Sequence, residues 1–189
     1  VIINIGLYCS VVIGFQEADI TRFLIISTVS AVVGSLIIGK IAEKSSLKRL
    51  LNLIVLGWIL SLILFVFVES RIFYWILGSF VGILLGGLWT TTRPLLAELV
   101  PRAELGRFFG LFSLSGRAAA VIGPLVWTTM VYLFNADRLF GRLMVSLFDI
   151  EQQDYAKLPY KMAVLSLSLI MLFGLYIFRK VPDTRGRIS

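Results

Sequence analysis

The chain has 189 residues, of which 58% are apolar and 15% charged, and a formal net charge of +7. A water-soluble domain carries roughly 25% charged residues, so this composition cannot cover an aqueous surface and specifies an integral membrane protein. The absence of histidine excludes a His-liganded metal site, a Ser-His-Asp triad and a histidine proton relay within the sequence. Its one cysteine, Cys9, sits in an apolar run, cannot close an internal disulfide and reads as a small packing residue.

A helix crossing a hydrocarbon core of about 30 Å needs roughly 20 apolar residues. Stretches free of Asp, Glu, Lys and Arg cover residues 1–15, 23–39, 50–68, 72–92, 108–133 and 162–178, the fifth broken only by Arg117. None alternates with the period of two of a membrane β-barrel, so an all-α fold with six transmembrane helices is expected. The first stretch lacks a basic n-region and a small-residue cleavage site, so it makes a poor signal peptide. It is short and opens abruptly, and residue 1 is expected to be a cut inside a helix of a longer protein.

Orientation follows the basic residues. The joints after the second and fourth spans and the C-terminal tail hold 11 of them, from Lys40 to Arg187, against 6 in the other joints. The first set is therefore expected on the cytoplasmic side, with the C-terminus inside. The positive charge reads as a topology signal and not as a nucleic-acid surface.

The joint at 39–49 reads GKIAEKSSLKR, with Gly39 ending a helix, Glu43 four residues on, and Lys44, Lys48 and Arg49 beyond. Glu43 can cap a neighbouring helix or pair with an Arg while the bases face lipid headgroups. An ordinary basic loop fits the same residues. In the fourth span, Gly78, Gly82 and Gly86 fall four apart, with Gly87 following, and let another helix backbone approach; a packing seam is the expected role. Trp89-Thr90-Thr91-Thr92-Arg93-Pro94 is expected to end that span, its hydroxyls either bonding the local backbone or facing a cavity.

The fifth span carries Ser113, Gly116, Ala120 and Gly123 as a small-residue face, and Pro124 removes the bond to the Ala120 carbonyl, so a bend is expected. Arg117 lies about 14 Å along the axis from Phe108. An Arg near mid-bilayer costs about 2.5–3.5 kcal/mol, so it either faces a wet cavity or a partner, or snorkels to the headgroups from a protruding helix. No span holds Asp, Glu or His. A carrier moving protons would need its carboxylate elsewhere, and the same absence argues against an aspartyl or metallo intramembrane protease. No enzyme activity, cofactor or metal site is expected.

Residues 134–161 form a long joint on the outer side, where Leu139, Phe140, Leu143, Met144, Leu147 and Phe148 would line one face of a short interfacial helix. The basic, Pro-interrupted residues 179–189 read as a mobile cytoplasmic tail.

Two of these signatures resemble the major facilitator superfamily. The joint at 39–49 looks like its cytoplasmic motif, with Gly39 at the glycine, Glu43 at the acid, Lys44 at the first base, Lys48 and Arg49 at the closing bases, and Ser46 in place of the usual turn glycine. The segment VPRAELGRFFGLFSLSGRAAAVIGP resembles the entry to the eleventh helix in the branch related to the yeast vacuolar amino-acid effluxer of autophagy, through Phe108, Phe109, Gly110, Ser115, Gly116, Arg117, Gly123 and Pro124. Gly86, Gly87 and Arg93 also look like that branch, whereas Trp89 stands where it has Gln.

The resemblance implies that residues 1–189 are the C-terminal six-helix half of a twelve-helix carrier, helices seven to twelve, with helix seven truncated and the N-terminal half as its missing partner. It implies alternating access around a central cavity, with a small polar solute such as an amino acid as cargo. Arg117, Ser113, Trp89 and Thr92 are then the cavity or gating candidates, and Glu43, Lys44 and Arg49 a cytoplasmic latch. A bacterial inner membrane is the expected location, or the vacuolar membrane in a eukaryote. The rival reading is a free-standing six-helix channel or membrane assembly subunit.

Overall fold

Length and hydropathy qualify five helices to cross a membrane among the described residues. The structure, a computed structural model, describes residues 6–68, 70–135, 138, 140–142 and 155–181. Its elements are a π-helical turn at Cys9–Ile13, α1 (Glu17–Lys44), α2 (Leu47–Phe67), α3 (Arg71–Leu99), a 3-10 turn at Arg102–Glu104, α4 (Leu105–Leu133) and α5 (Leu158–Phe178). The expected first span lies partly outside the described residues. Its visible part is helical from Gly6, passes into the π-helical turn and stops at Gly14. There φ is +72°, a conformation glycine adopts without strain. Phe15 N–H then donates to the Cys9 carbonyl at 3.0 Å, closing the helix end. The interfacial helix expected at 139–148 falls outside the described residues except for 140–142, of which all three are helical, and residues 182–189 of the tail also lie outside.

The helices overrun the charge-free stretches, because their polar ends continue past the hydrocarbon. The fourth span corrects an expectation: α3 does not end at Trp89–Pro94 but runs through Pro94 to Leu99. Pro94 can offer no N–H to the Thr90 carbonyl, yet packing on both sides holds the helix, since Thr91 and Leu95 are buried. α4 likewise continues through Pro124 to Leu133.

Short joints at Ser45–Ser46 and between α2 and α3 set the helices antiparallel, giving a Gly14 end and a Ser46 end of the bundle. Ser46 lies at φ −63° and ψ 121°, extended and not left-handed, so the turn does not require glycine. Its hydroxyl instead accepts the Arg49 N–H at 3.5 Å and caps α2.

α3 is central, with α1 on one side and α2 on the other, while α5 packs on both α2 and α4. Between α1 and α3 the backbones meet. A Cβ on Gly82 would strike the Ser27 carbonyl, one on Gly86 the Ala31 carbonyl, and one on Gly34 would lie 2.5 Å from the Ile83 backbone. Lipid tails are as apolar as leucine, so helices in a membrane associate through such close packing and through hydrogen bonds. Here Ser27 donates to the Gly78 carbonyl at 3.1 Å.

The largest core cluster lies toward the Gly14 end and draws on the N-terminal segment and all five α-helices: Tyr8, Cys9 and Val12; Phe23; Val66; Tyr74; Trp127; Ala163 and Val164. Tyr8 and Tyr74 donate to the same acceptor, the Phe65 carbonyl, at 2.7 and 2.9 Å. Two smaller clusters toward the Ser46 end, around Ile38, Ile54 and Leu84 and around Leu47, Leu51 and Leu95, contain no α4 residue.

Candidate functional site in the open half of α4

Among the described residues, α4 enters the buried core at its Trp127 end. Trp127 is buried and Met130 and Val131 pack against the large cluster, whereas every residue from Gly110 to Ile122 is exposed. Helical spacing decides which way that open segment faces. Ser113, Arg117, Ala120, Pro124, Trp127 and Val131 recur at alternating steps of four and three, which is one side of a helix. The stripe that enters the core through Trp127 and Val131 is therefore the stripe that carries Ser113 and Arg117 about three to five turns earlier. The small-residue face lies on that same side of the helix, and among the described residues a Cβ at Gly116 or Gly123 would meet nothing within 4 Å.

Among the described residues neither Arg117 nor Ser113 makes a hydrogen bond or ion pair. Ser115, on the opposite side, gives its hydroxyl to the Phe112 carbonyl at 2.8 Å and so satisfies itself within the helix. Ser113 therefore presents a free hydroxyl one turn from a free guanidinium.

The other sequence candidates lie elsewhere. Trp89 is 70% exposed on α3 and makes no hydrogen bond or ring contact among the described residues. The threonines after it bond the local backbone: Thr90, Thr91 and Thr92 donate to the carbonyls of Gly86, Gly87 and Leu88 at 2.7, 2.8 and 2.8 Å. α3 and α4 share few contacts, so Trp89 and Thr92 are not brought together with Arg117.

The residues of 39–49 gather at the Ser46 end. Gly39 lies against Thr90, since a Cβ there would be 3.5 Å from its methyl group. Glu43 and Lys44 fill the last turn of α1, where a carboxylate opposes the helix dipole and a base favours it. Arg49 lies in the first turn of α2, and Lys48 reaches across to donate to the Arg179 carbonyl at the end of α5, 3.2 Å away. That contact ties the turn to the far end of the chain.

Sequence reasoning missed the polar clasps at the Gly14 end. Arg71 donates to the Gly14 carbonyl at 2.8 Å, and its guanidinium carbon lies 5.7 Å from the centre of the Phe15 ring. Phe15 in turn meets Phe23 edge-on and Trp75 at a tilt, with ring centres 6.4 and 5.6 Å away. Tyr and Trp at a helix end were a readable signal, because amphipathic rings favour the membrane interface.

Helices of membrane length, glycine-seamed and lacking acid or histidine within their apolar stretches, define a polytopic membrane protein. The sequence profile of the Major Facilitator Superfamily matches residues 2–189, and the chain belongs to that family. It is 29% identical over 171 residues to the uncharacterized MFS-type transporter YxiO of Bacillus subtilis, covering 90% of this chain and 35% of that protein. It is 42% identical over 52 residues to autophagy-related protein 22 of Kluyveromyces lactis, covering 28% of this chain and 11% of the relative. It is 28% identical over 123 residues to the multidrug resistance protein MdtG of a Rahnella strain, covering 61% of this chain and 30% of the relative. The chain thus spans about a third of the length of YxiO. No solved structure matches it.

Proposed function

We propose that residues 1–189 are the C-terminal half of a twelve-helix secondary carrier that moves a small polar solute, with amino acids the leading class, by alternating access. The carrying observation is the α4 stripe, packed at its Trp127 end and open where Arg117 and Ser113 stand. A mid-span Arg on an inward face needs water or a partner, and a cavity shared with an N-terminal half supplies both. Rocking of one half against the other would expose that cavity to each side in turn. The half alone would then be incompetent. The likeness to autophagy-related protein 22 supports an amino acid as cargo through the resemblance of its branch, and the likeness to MdtG supports export.

In this reading the Ser46 end is cytoplasmic, following its basic residues, and the membrane is the bacterial plasma membrane. Glu43, Lys44 and Arg49 latch that side when the cavity opens outward, while Lys48 fixes the latch to α5. Gly39 lies below it where α1 faces Thr90 of α3.

The test is counterflow in proteoliposomes containing the full-length protein. Saturable uptake accelerated by unlabelled solute on the far side is expected. A flux that never saturates and shows no counterflow would replace the carrier with a channel.

A further inference from the structure

Resting on that transport reading, we infer that Arg117 and Ser113 form a subsite for a carboxylate on the transported solute. Arg117 is the one charge inside the six apolar stretches, and no Asp or Glu lies within them to neutralise it. Neither side chain has a hydrogen-bonding partner among the described residues, although Ser115 beside them has one. Both belong to the stripe that turns toward the bundle, and the floor around them is clear at Gly116.

The chemistry selects the ligand. A guanidinium offers a planar fork of donors that matches a carboxylate bidentately. Ser113, one turn away with its Cβ about 5–6 Å off, adds a hydroxyl donor from the same side. The apolar stretches of this sequence offer no carboxylate for a cation. A single positive charge balances a monoanion, whereas a phosphate dianion would retain an uncompensated charge beside the one guanidinium. The carboxylate of a zwitterionic or monoanionic solute is the group that fits, and any cationic group of that solute must be met by another surface of the cavity.

The experiment measures thermal protection of the purified full-length protein by matched pairs: glycine, leucine, phenylalanine and lactate, each beside its amide, together with inorganic phosphate. At least one carboxylate should protect, with its amide about 10-fold weaker or more. Arg117→Gln should weaken that protection about 10- to 100-fold, the usual range for losing a charged hydrogen-bond partner. Arg117→Lys should restore part of it, and Ser113→Ala should cost less than Arg117→Gln. The wild-type ratio of acid to amide carries the test even where a variant fails to fold.

Equal protection by the amides, phosphate binding tighter than every carboxylate, or no protection by any carboxylate overturns the inference. So does an acid preference surviving in Arg117→Gln, which would mean that Arg117 pairs with an acid elsewhere in the protein. Counterflow of a solute lacking a carboxylate would sink this subsite and leave the carrier reading standing. Loss of saturable counterflow for every solute would sink the carrier reading itself.

Discussion

The phenol hydroxyls of Tyr8 and Tyr74 meet on one carbonyl, that of Phe65, in the last turn of α2. The last carbonyls of a helix have no partner within it, and in a membrane water cannot replace one. Two donors from separate segments therefore finish α2 and join it to α3 and to the segment before α1. Tyr8 also sets its ring edge against Phe65 and Trp127, so the same junction reaches α4.

This junction should be redundant. Tyr8→Phe or Tyr74→Phe leaves one donor on the carbonyl, and each should cost about 0.5–1.5 kcal/mol. The double variant leaves the carbonyl bare and should cost more than the sum, a coupling expected of neighbours that share a partner. Thermal unfolding of the full-length protein in detergent measures it. Strict additivity would show that the two hydroxyls act independently.

The glycines of the two faces should separate by phenotype. Gly82→Ala and Gly34→Ala push a methyl group into the facing backbone, where no flexible side chain can yield, and each should destabilise by about 1–3 kcal/mol. Gly116→Ala meets nothing among the described residues and should leave unfolding of the isolated half unchanged, while lowering transport by the whole protein if that face closes on a partner. Equal destabilisation by all three would remove the distinction between seam and open face.

α2 carries an acceptor that no described residue satisfies: the Asn52 side-chain oxygen is buried without a hydrogen bond. Removing a buried, unpaired polar group while keeping its volume is neutral or stabilising. Asn52→Leu should therefore hold or raise the unfolding temperature, by up to about 1 kcal/mol in stability. A clear loss would show that Asn52 has a partner beyond the described residues.

How much of this was legible depended on the kind of signal. Freedom from charge located the spans because hydrocarbon excludes ions, and the four-residue spacing of Gly78, Gly82 and Gly86 marked the face that α1 now occupies. The end of α3 was misread because Pro94 is a local cost, while the burial of Thr91 and Leu95 that offsets it is tertiary. The Tyr8–Phe65 and Arg71–Gly14 bonds each span 57 residues, so no local pattern pairs them. At α4, spacing found the small face, but its direction became clear only when Trp127 entered the core.

The most direct test of the account is water access to α4 in the full-length protein, with Cys9 and any other cysteines replaced by serine. Single cysteines at Ser113, Arg117 and Ala120 lie on the open stripe, and at Leu111 and Ile122 on the opposite side. A membrane-impermeant thiol reagent should modify the first three, more slowly when a transported solute is present, and should spare the last two. Uniform protection of Ser113, Arg117 and Ala120, or labelling as fast at Leu111 and Ile122, would contradict a water-lined cavity on this face and the carrier reading built on it.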